Sequence, residues 1–161
     1  MNTNFEIDLI RNTSFGAVVL WRFVRSWHDQ GRNYDSPPLI AVMLPLPMVC
    51  HEATVKAIAT RNKDGALLKA LAEDRTVALG LQPRIQAFAD RTFRSLNLAI
   101  AAGLVGIDRS QGIRIIPTRA KAPFIFSTEA DEAAISAADR LGHSISLTGL
   151  ETSCSLLGVR F

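Results

Sequence analysis

The stretch NTSFGAVVLWRFVRSWHDQGRNYDSPPLIAVMLPLPMVCH, residues 12–51, decides the fold of this chain. Its first half predicts a helix over about residues 14–30, with Phe15, Val19 and Phe23 on one face at 100° per residue. Other large apolar side chains point away from that face, so the helix is apolar almost all the way round. Such a helix lies between other elements rather than on the surface, and we expect it to be the central core helix.

The second half of this stretch, residues 39–50, is also apolar but contains Pro45 and Pro47. Two prolines exclude a regular helix and a central strand alike. Pro37-Pro38 suits a helix start. We therefore predict a helix that is kinked or ends near Pro45, followed by a short helix over residues 51–60.

Further helices are predicted downstream. Asp64 is in position to cap a helix through residues 67–71. Helical patterns then cover residues 75–90 and 91–103, and one continuous helix and two separate helices both fit them. We favour a break near residues 90–92, where an Asp or Thr side chain can cap the second helix.

Two short runs rich in Val and Ile follow, residues 104–108 and 113–116. The turn between them, residues 109–112, ends in glycine, which predicts a β-hairpin. Helix, helix, then a hairpin with an exposed turn is the order of a winged helix-turn-helix. We assign this unit to about residues 64–120.

The C-terminal part is predicted to be helical again. Ser127 or Thr128 can cap a helix from Glu129 to about Leu141, which Gly142 ends or bends. Thr148 can cap a last short helix. The fold class is therefore mainly α: a single compact helical domain over residues 1–161, with a small β-hairpin wing.

Composition limits the class of protein. At 161 residues, 48% hydrophobic and 20% charged, the chain can bury a core and is not of the disordered type. No apolar run approaches the roughly 18–20 residues of a membrane span, and the N-terminus lacks the pattern of a signal peptide. Cys50 and Cys154 have no CxxC spacing, so we expect free buried thiols and a cytoplasmic protein.

Motifs that carry catalysis are missing from the sequence. It contains no P-loop, no H-E-x-x-H, no zinc-type Cys/His spacing and no G-x-S-x-G. Cys50 and His51 are adjacent, but a thiolate–imidazole pair needs convergent geometry that adjacency does not provide. We therefore predict no enzymatic activity, no catalytic residue, no metal and no cofactor.

Charge gives the one functional signal that comes from physical chemistry alone. Between Arg75 and Thr128 eight basic residues face only Asp90 and Asp108, so this segment carries 8 − 2 = +6, while the whole chain carries +3. Arginine binds phosphate through its planar fork, so the segment predicts contact with DNA or with an acidic partner protein. An ordinary solvated face is the alternative. The candidate contacts are Arg84, Arg91, Arg94, Arg109, Arg114, Arg119 and Lys121.

Large aromatic side chains are a second source of candidates. Most of them belong to the core of so small a domain, but one or two can be exposed for a protein partner, because aromatic residues dominate interface hot spots. The candidates are Trp21, Trp27, Phe124 and Phe126.

The opening stretch also resembles a known family. Asn12, Gly16, Leu20-Trp21-Arg22-Phe23, the Leu-Pro-Leu of residues 44–46 and His51 match the start of the middle components of bacterial three-component ABC systems. The terminal LLGVRF resembles the end of that family. The match covers most of the chain, loosely between residues 55 and 90.

This resemblance implies a non-enzymatic adaptor between an SMC-like ABC ATPase with a long coiled coil and an effector, often a nuclease. Such systems, the Lamassu type among them, act in bacterial defence against phage and plasmids. The alternative is a stand-alone winged-helix transcriptional regulator that binds DNA. Winged helices serve both as DNA readers and as protein adaptors, so the fold alone does not decide between them.

Overall fold

A computed structural model describes residues 12–30, 35–119, 121 and 128–161. The α-helices in this part of the chain are α1 (Thr13–Gln30), α2 (Pro45–Val49), α3 (Glu52–Ile58), α4 (Ala66–Glu73), α5 (Leu81–Ala101), α6 (Glu129–Thr148) and α7 (Leu150–Leu157). Two 3-10 helices, Leu39–Met43 and Arg75–Val77, and two strands, β1 (Val105–Asp108) and β2 (Arg114–Pro117), complete the set. The prediction of a mainly α chain with a small hairpin is confirmed.

Helix α1 is the centre of the core, as its all-round apolar sequence predicts. Val19 and Phe23 are fully buried, and α1 packs chiefly against α6 and α5. Glycines allow α5 and α6 to pack closely against α1. A Cβ on Gly16 would lie 3.0 Å from the Cβ of Ser95 on α5, and nearer still to the Ser95 hydroxyl. A Cβ on Gly142 of α6 would lie 3.2 Å from the carbonyl carbon of Phe23, and nearer to its oxygen.

The proline-containing run forms two helical pieces rather than one. A 3-10 helix that follows Pro38 covers Leu39–Met43 and ends near Pro45, as predicted, and Pro45 then occupies the first position of a second helix, α2. The first backbone N–H groups of a helix have no intrahelical acceptor, so a proline there costs no hydrogen bond. Helix α3 follows as predicted.

Helix α5 is continuous, so the predicted break near residues 90–92 is wrong. Thr92 is buried against the core instead of capping a helix start. The helix begins after Gly80, which has a φ of +68°, and Pro83 lies in the first turn where its missing N–H is not needed.

The predicted caps by Asp64 and Thr148 are also wrong, and Gly142 does not end its helix. Asp64 does not cap α4, because its carboxylate pairs with His143 of α6 at 2.5 Å. Gly142 does not end α6, which continues to Thr148 because the glycine permits close packing on α1. Thr148 is the last residue of α6, and the N-cap position of α7 belongs to Gly149. The predicted cap by Thr128 is confirmed: its hydroxyl accepts from the backbone N–H of Asp131 at 3.1 Å.

The hairpin has the predicted strands and gains a third, short partner. β1 and β2 are antiparallel, with Ile107 opposite Ile115. Residues 37–39 pair along the other edge of β2: the N–H of Ile115 donates to Pro37 and the N–H of Leu39 to Ile113. The tip turn uses Gly112 at a φ of +87°. The buried Val105 and Ile115 fix the base of the hairpin to the core.

Candidate functional site

The basic segment does not form one continuous cationic face. Arg84 is half-buried, and its guanidinium donates to the backbone carbonyls of Pro47, Val77 and Leu79 at 3.3–3.4 Å. Its role is therefore structural: it holds the loop before α5 against α2. A guanidinium engaged in this way is not available to a phosphate group.

Arg114 is also engaged within the chain. It donates to the carboxylate of Asp35 at 3.0 Å and to the carbonyl of Ser36 at 2.6 Å, which ties β2 to the segment after α1. On α5, Arg94 forms an exposed ion pair with Asp90 at 2.9 Å, and Arg91 lies 5.6 Å from the ring centre of Phe88. The carboxylates of Asp35 and Asp90 reduce the positive charge that this region presents to a partner, whereas the contact with Phe88 leaves the charge of Arg91 in place.

Five of the seven predicted basic contacts are exposed: Arg91, Arg94, Arg109, Arg119 and Lys121. Arg109 lies in the tip turn and Arg119 beyond the far end of β2. Ile113 lies opposite Arg109 across the turn, and Arg119 lies six residues after Ile113. At the rise of extended chain, the Cα atoms of Arg109 and Arg119 are therefore roughly 20 Å apart. Since Arg91 and Arg94 lie on α5, the exposed cations are dispersed over α5, the hairpin and the residues after it.

The predicted aromatic contacts are not surface features where the structure describes them. Trp21 is 1% exposed and its indole N–H donates to the carbonyl of Arg119 at 3.0 Å. Trp27 is 5% exposed and packs on Phe23 with ring centres 5.8 Å apart. Both tryptophans belong to the core, so in this structure neither presents a surface to a partner. Phe124 and Phe126 lie outside the described residues.

A cleft of about 430 Å³ lies between α1 and α6. Its polar wall is a charge network: Asp139, nearly buried, pairs with Arg22 at 2.9 Å and with Lys63 at 2.5 Å. The same face of α6 holds the loop between α3 and α4, because Arg140 donates to the carbonyl of Arg61 at 2.5 Å. The carboxylate is thus occupied by cations, which makes this wall a structural joint. The side chains around the cleft are Trp21, Arg22, Glu132, Ile135, Ser136, Asp139 and Arg140.

The histidine and cysteine side chains that sequence reasoning considered for catalysis are hydrogen-bonded within the protein or at least partly buried. His51 shares a hydrogen bond of 2.8 Å with the hydroxyl of Thr54. Cys50 is buried, and burial raises the pKa of the half-buried Cys154 thiol. Over residues 12–30, 35–119, 121 and 128–161, no group of three or more His, Cys, Asp and Glu side chains is placed to hold a metal ion.

Sequence reasoning missed an apolar surface on the hairpin. Ile40, Ile107 and Ile113 are exposed, and we call them the isoleucine face. The N–H of Leu39 donates to the carbonyl of Ile113, which brings Ile40 beside the hairpin. Ile107 lies two residues after buried Val105, and Ile113 lies two residues before buried Ile115. Because side chains alternate along a strand, this spacing extends the inner face of the hairpin towards its tip, and it was the signal from which this apolar surface could have been predicted.

The helices in the described part of the chain differ in how far their length and apolar composition match a membrane span. No single helix there is both long enough and apolar enough to cross a bilayer. One bent pair, Leu39–Val49 with Glu52–Ile58, passes the criterion of length and composition with a 101° angle between its two parts.

The comparisons with known proteins give one match. A family model described as ABC-three component (ABC-3C) system Middle Component 3 matches residues 1–161. No curated protein and no solved structure gives a significant match. The matched range includes the core helix, the proline-containing run and the C-terminal LLGVRF.

Proposed function

Because the chain belongs to the middle components 3 of ABC-three component systems, we propose that it is a non-enzymatic adaptor subunit. In this proposal it bridges an SMC-like ABC ATPase and an effector, a nuclease, in a cytoplasmic defence complex of the Lamassu type. Such a complex acts against phage and plasmids. The match over residues 1–161 is the observation that carries the proposal.

The distribution of polar groups supports an adaptor role over catalysis. Asp139 is neutralised by Arg22 and Lys63, and His143 is paired with Asp64. These groups join α6 to α1 and to the loop before α4. A nuclease or ATPase site needs carboxylates or a phosphate loop that converge on a metal or nucleotide. In the described residues the charged side chains at these joints stabilise packing instead.

The alternative, a DNA-binding regulator, has one favourable observation. The order of α4, α5, β1 and β2 within the predicted unit, about residues 64–120, resembles that of a winged helix-turn-helix, with α5 at the position of the recognition helix. However, Arg84 and Arg114 are engaged by the chain itself, and Arg94 is paired with Asp90. Fewer cations are then available for phosphates, which favours the adaptor.

Copurification tests the adaptor proposal. The tagged chain is expressed with the other two components of its system and recovered in stoichiometric amounts. We expect both components to be retained through washing at 0.3 M salt. Retention of neither component would refute the adaptor proposal.

Selection from random DNA duplexes tests the regulator. A regulator must prefer its site over non-specific DNA by at least about 10³-fold at fixed salt. We expect no enriched sequence. Five exposed cations, of which Arg94 is paired with Asp90, would give at most weak binding, with a slope of log K against log salt of about −4. A single enriched operator-like sequence, together with no protein partner, would promote the regulator.

A further inference from the structure

A groove runs between α2 and α5 beside the start of α1. Leu46 lines it from α2, Phe88 and Ser95 line it from α5, and Asn12 and Thr13 line it where α1 begins. Its enclosed volume is about 20 Å³, which holds one water molecule and is far below the roughly 300–1,000 Å³ of a small-molecule site. The groove therefore suits a chain segment that lies across it, and it does not suit a small-molecule ligand.

A hydroxyl group in this groove lacks a hydrogen-bond partner among the described residues. Ser95 lines the groove, is 2% exposed, and has its side chain against Gly16 of α1. A buried hydroxyl without a partner is unfavourable, and folded proteins satisfy most such groups. The Ser95 side chain therefore calls for a polar group at the groove that the described residues do not supply.

The chain has a segment of suitable length and pattern next to this groove. Residues 1–11 lie outside the described part of the chain, and they join it at Asn12, which itself lines the groove. Residues 5–10 read FEIDLI and begin with alternating apolar and acidic side chains; we call them the FEIDLI segment. Alternate side chains of extended chain lie on opposite sides, so an apolar side can cover the half-buried Phe88. Seven residues of extended chain reach roughly 23 Å, so the whole segment is within reach of the groove.

The charges of the two partners are opposite. Glu6 and Asp8 outweigh Arg11, so residues 1–11 carry 1 − 2 = −1. Arg91 lines the groove from α5 and is exposed, and none of the described residues that line the groove is acidic. The first turn of α1 contains no acidic side chain either, so the positive end of its helix dipole adds to the charge of the arginine. A carboxylate of the FEIDLI segment is thus attracted to this groove.

We propose that the FEIDLI segment lies along the groove between α2 and α5, with its apolar side on Phe88 and a carboxylate paired with Arg91. A polar group of the segment then reaches the Ser95 hydroxyl. In this position the segment competes with DNA phosphates and with acidic proteins for Arg91, and it is an autoinhibitory contact on the exposed surface of α5. The inference does not depend on the adaptor proposal, because it concerns contacts within one chain.

Paramagnetic broadening of NMR signals tests the position of the segment in the full 161-residue chain. Cys154→Ser removes the partly exposed thiol, Cys50 is shielded by burial, and Asn4→Cys then carries a nitroxide label directly before the segment. We expect the amide signals on both sides of the groove, residues 48–50 and 88–95, to be broadened most, and those of α7 to be unaffected. Broadening that is uniform over the surface, or greatest away from the groove, would overturn the proposal.

Two matched arginine variants of the labelled chain test the ion pair. Arg91→Gln and Arg94→Gln each remove one exposed cation from α5, but Arg94 is already paired with Asp90. Both variants are first checked for an unchanged melting temperature. The equilibrium constant for docking of the segment should fall about two- to fivefold in Arg91→Gln, the effect of losing an exposed ion pair, and stay unchanged in Arg94→Gln. Equal effects of the two substitutions would contradict the proposed pairing.

Chemical modification of Arg91 gives a readout that needs no label. An arginine-specific dicarbonyl reagent is applied to the full chain, and the modified peptides are quantified by mass spectrometry. Glu6→Gln with Asp8→Asn should speed modification of Arg91 about two- to fivefold, because the guanidinium loses its carboxylate partner. Glu129→Gln with Glu151→Gln removes two exposed carboxylates from the first turns of α6 and α7, controls for net charge, and should leave the rate unchanged. An Arg91 rate that is the same in the wild type and in both double variants would overturn the proposal.

Discussion

At the scale of single residues, two glycines determine how closely the core helices approach. A Cβ at Gly16 would meet the side chain of Ser95, which can move, whereas a Cβ at Gly142 would meet the backbone of Phe23, which cannot move without displacing α1. Neither contact can be deduced from the sequence, which shows only that a glycine occurs within a helical pattern. The expectation that Gly142 ends α6 was wrong for this reason.

Gly142→Ala is therefore expected to destabilise the fold by about 1–3 kcal/mol, the usual cost of overpacking, despite the better helix propensity of alanine. This corresponds to a fall in melting temperature of about 2–4 °C per kcal/mol for a chain of this size. Gly16→Ala should reduce the stability less than Gly142→Ala does. Adding Ser95→Ala to Gly16→Ala should recover part of the lost stability, whereas adding it to Gly142→Ala should recover none. An unchanged melting temperature for Gly142→Ala would contradict the close approach.

Asp139 carries the second prediction at this scale. Asp139→Asn removes the charge that neutralises Arg22 and Lys63, whose side chains are partly exposed and therefore partly screened by water. We expect a loss of about 1–3 kcal/mol in the free energy of unfolding by urea at pH 7. Asp90→Asn is the control: it breaks only an exposed pair with Arg94 and should cost less than about 0.5 kcal/mol. If Asp139→Asn and Asp90→Asn lowered the free energy of unfolding equally, the ion pairs of Asp139 would stabilise the fold no more than an exposed pair does.

At the scale of elements, strongly patterned segments were predictable and their ends were not. The all-round apolar sequence of α1 identified both its extent and its burial. Alternating Val and Ile with a glycine turn identified the hairpin. The cap of α4 was misassigned because Asp64 bonds to His143, which lies 79 residues later in the chain, and the end of α6 was misplaced because Gly142 packs closely on α1. The break in α5 was wrong because Thr92, a possible cap by sequence, packs in the core.

The continuity of α5 has a direct test. Asp90→Pro removes the backbone donor and introduces the proline ring in the middle of a helix, which costs about 3 kcal/mol. Asp90→Ala keeps the backbone donor at this exposed position and should change the free energy of unfolding by less than about 0.5 kcal/mol. The two variants are compared by urea denaturation. If both have the same stability, α5 is broken near residue 90, as the sequence suggested.

At the scale of the whole molecule, the sign of a region's charge was predictable from the sequence, but the contacts made by its charged side chains were not. Counting residues located eight cations between Arg75 and Thr128. It did not reveal that Arg84 bonds to carbonyls of other segments or that Arg114 pairs with Asp35, because both depend on tertiary contacts. The isoleucine face was missed for the converse reason: apolar residues in a hairpin were assigned to the core, and only the structure separates its buried base from its exposed tip.

The central claim is that this chain physically connects the other two components of its system. The most direct measurement is size-exclusion chromatography with light scattering on the purified ABC ATPase and effector, with and without the chain. We predict that the two components elute separately without the chain and in one complex, whose mass includes the chain, when it is added. Elution of ATPase and effector together in its absence, with no increase in mass on its addition, would contradict the claim.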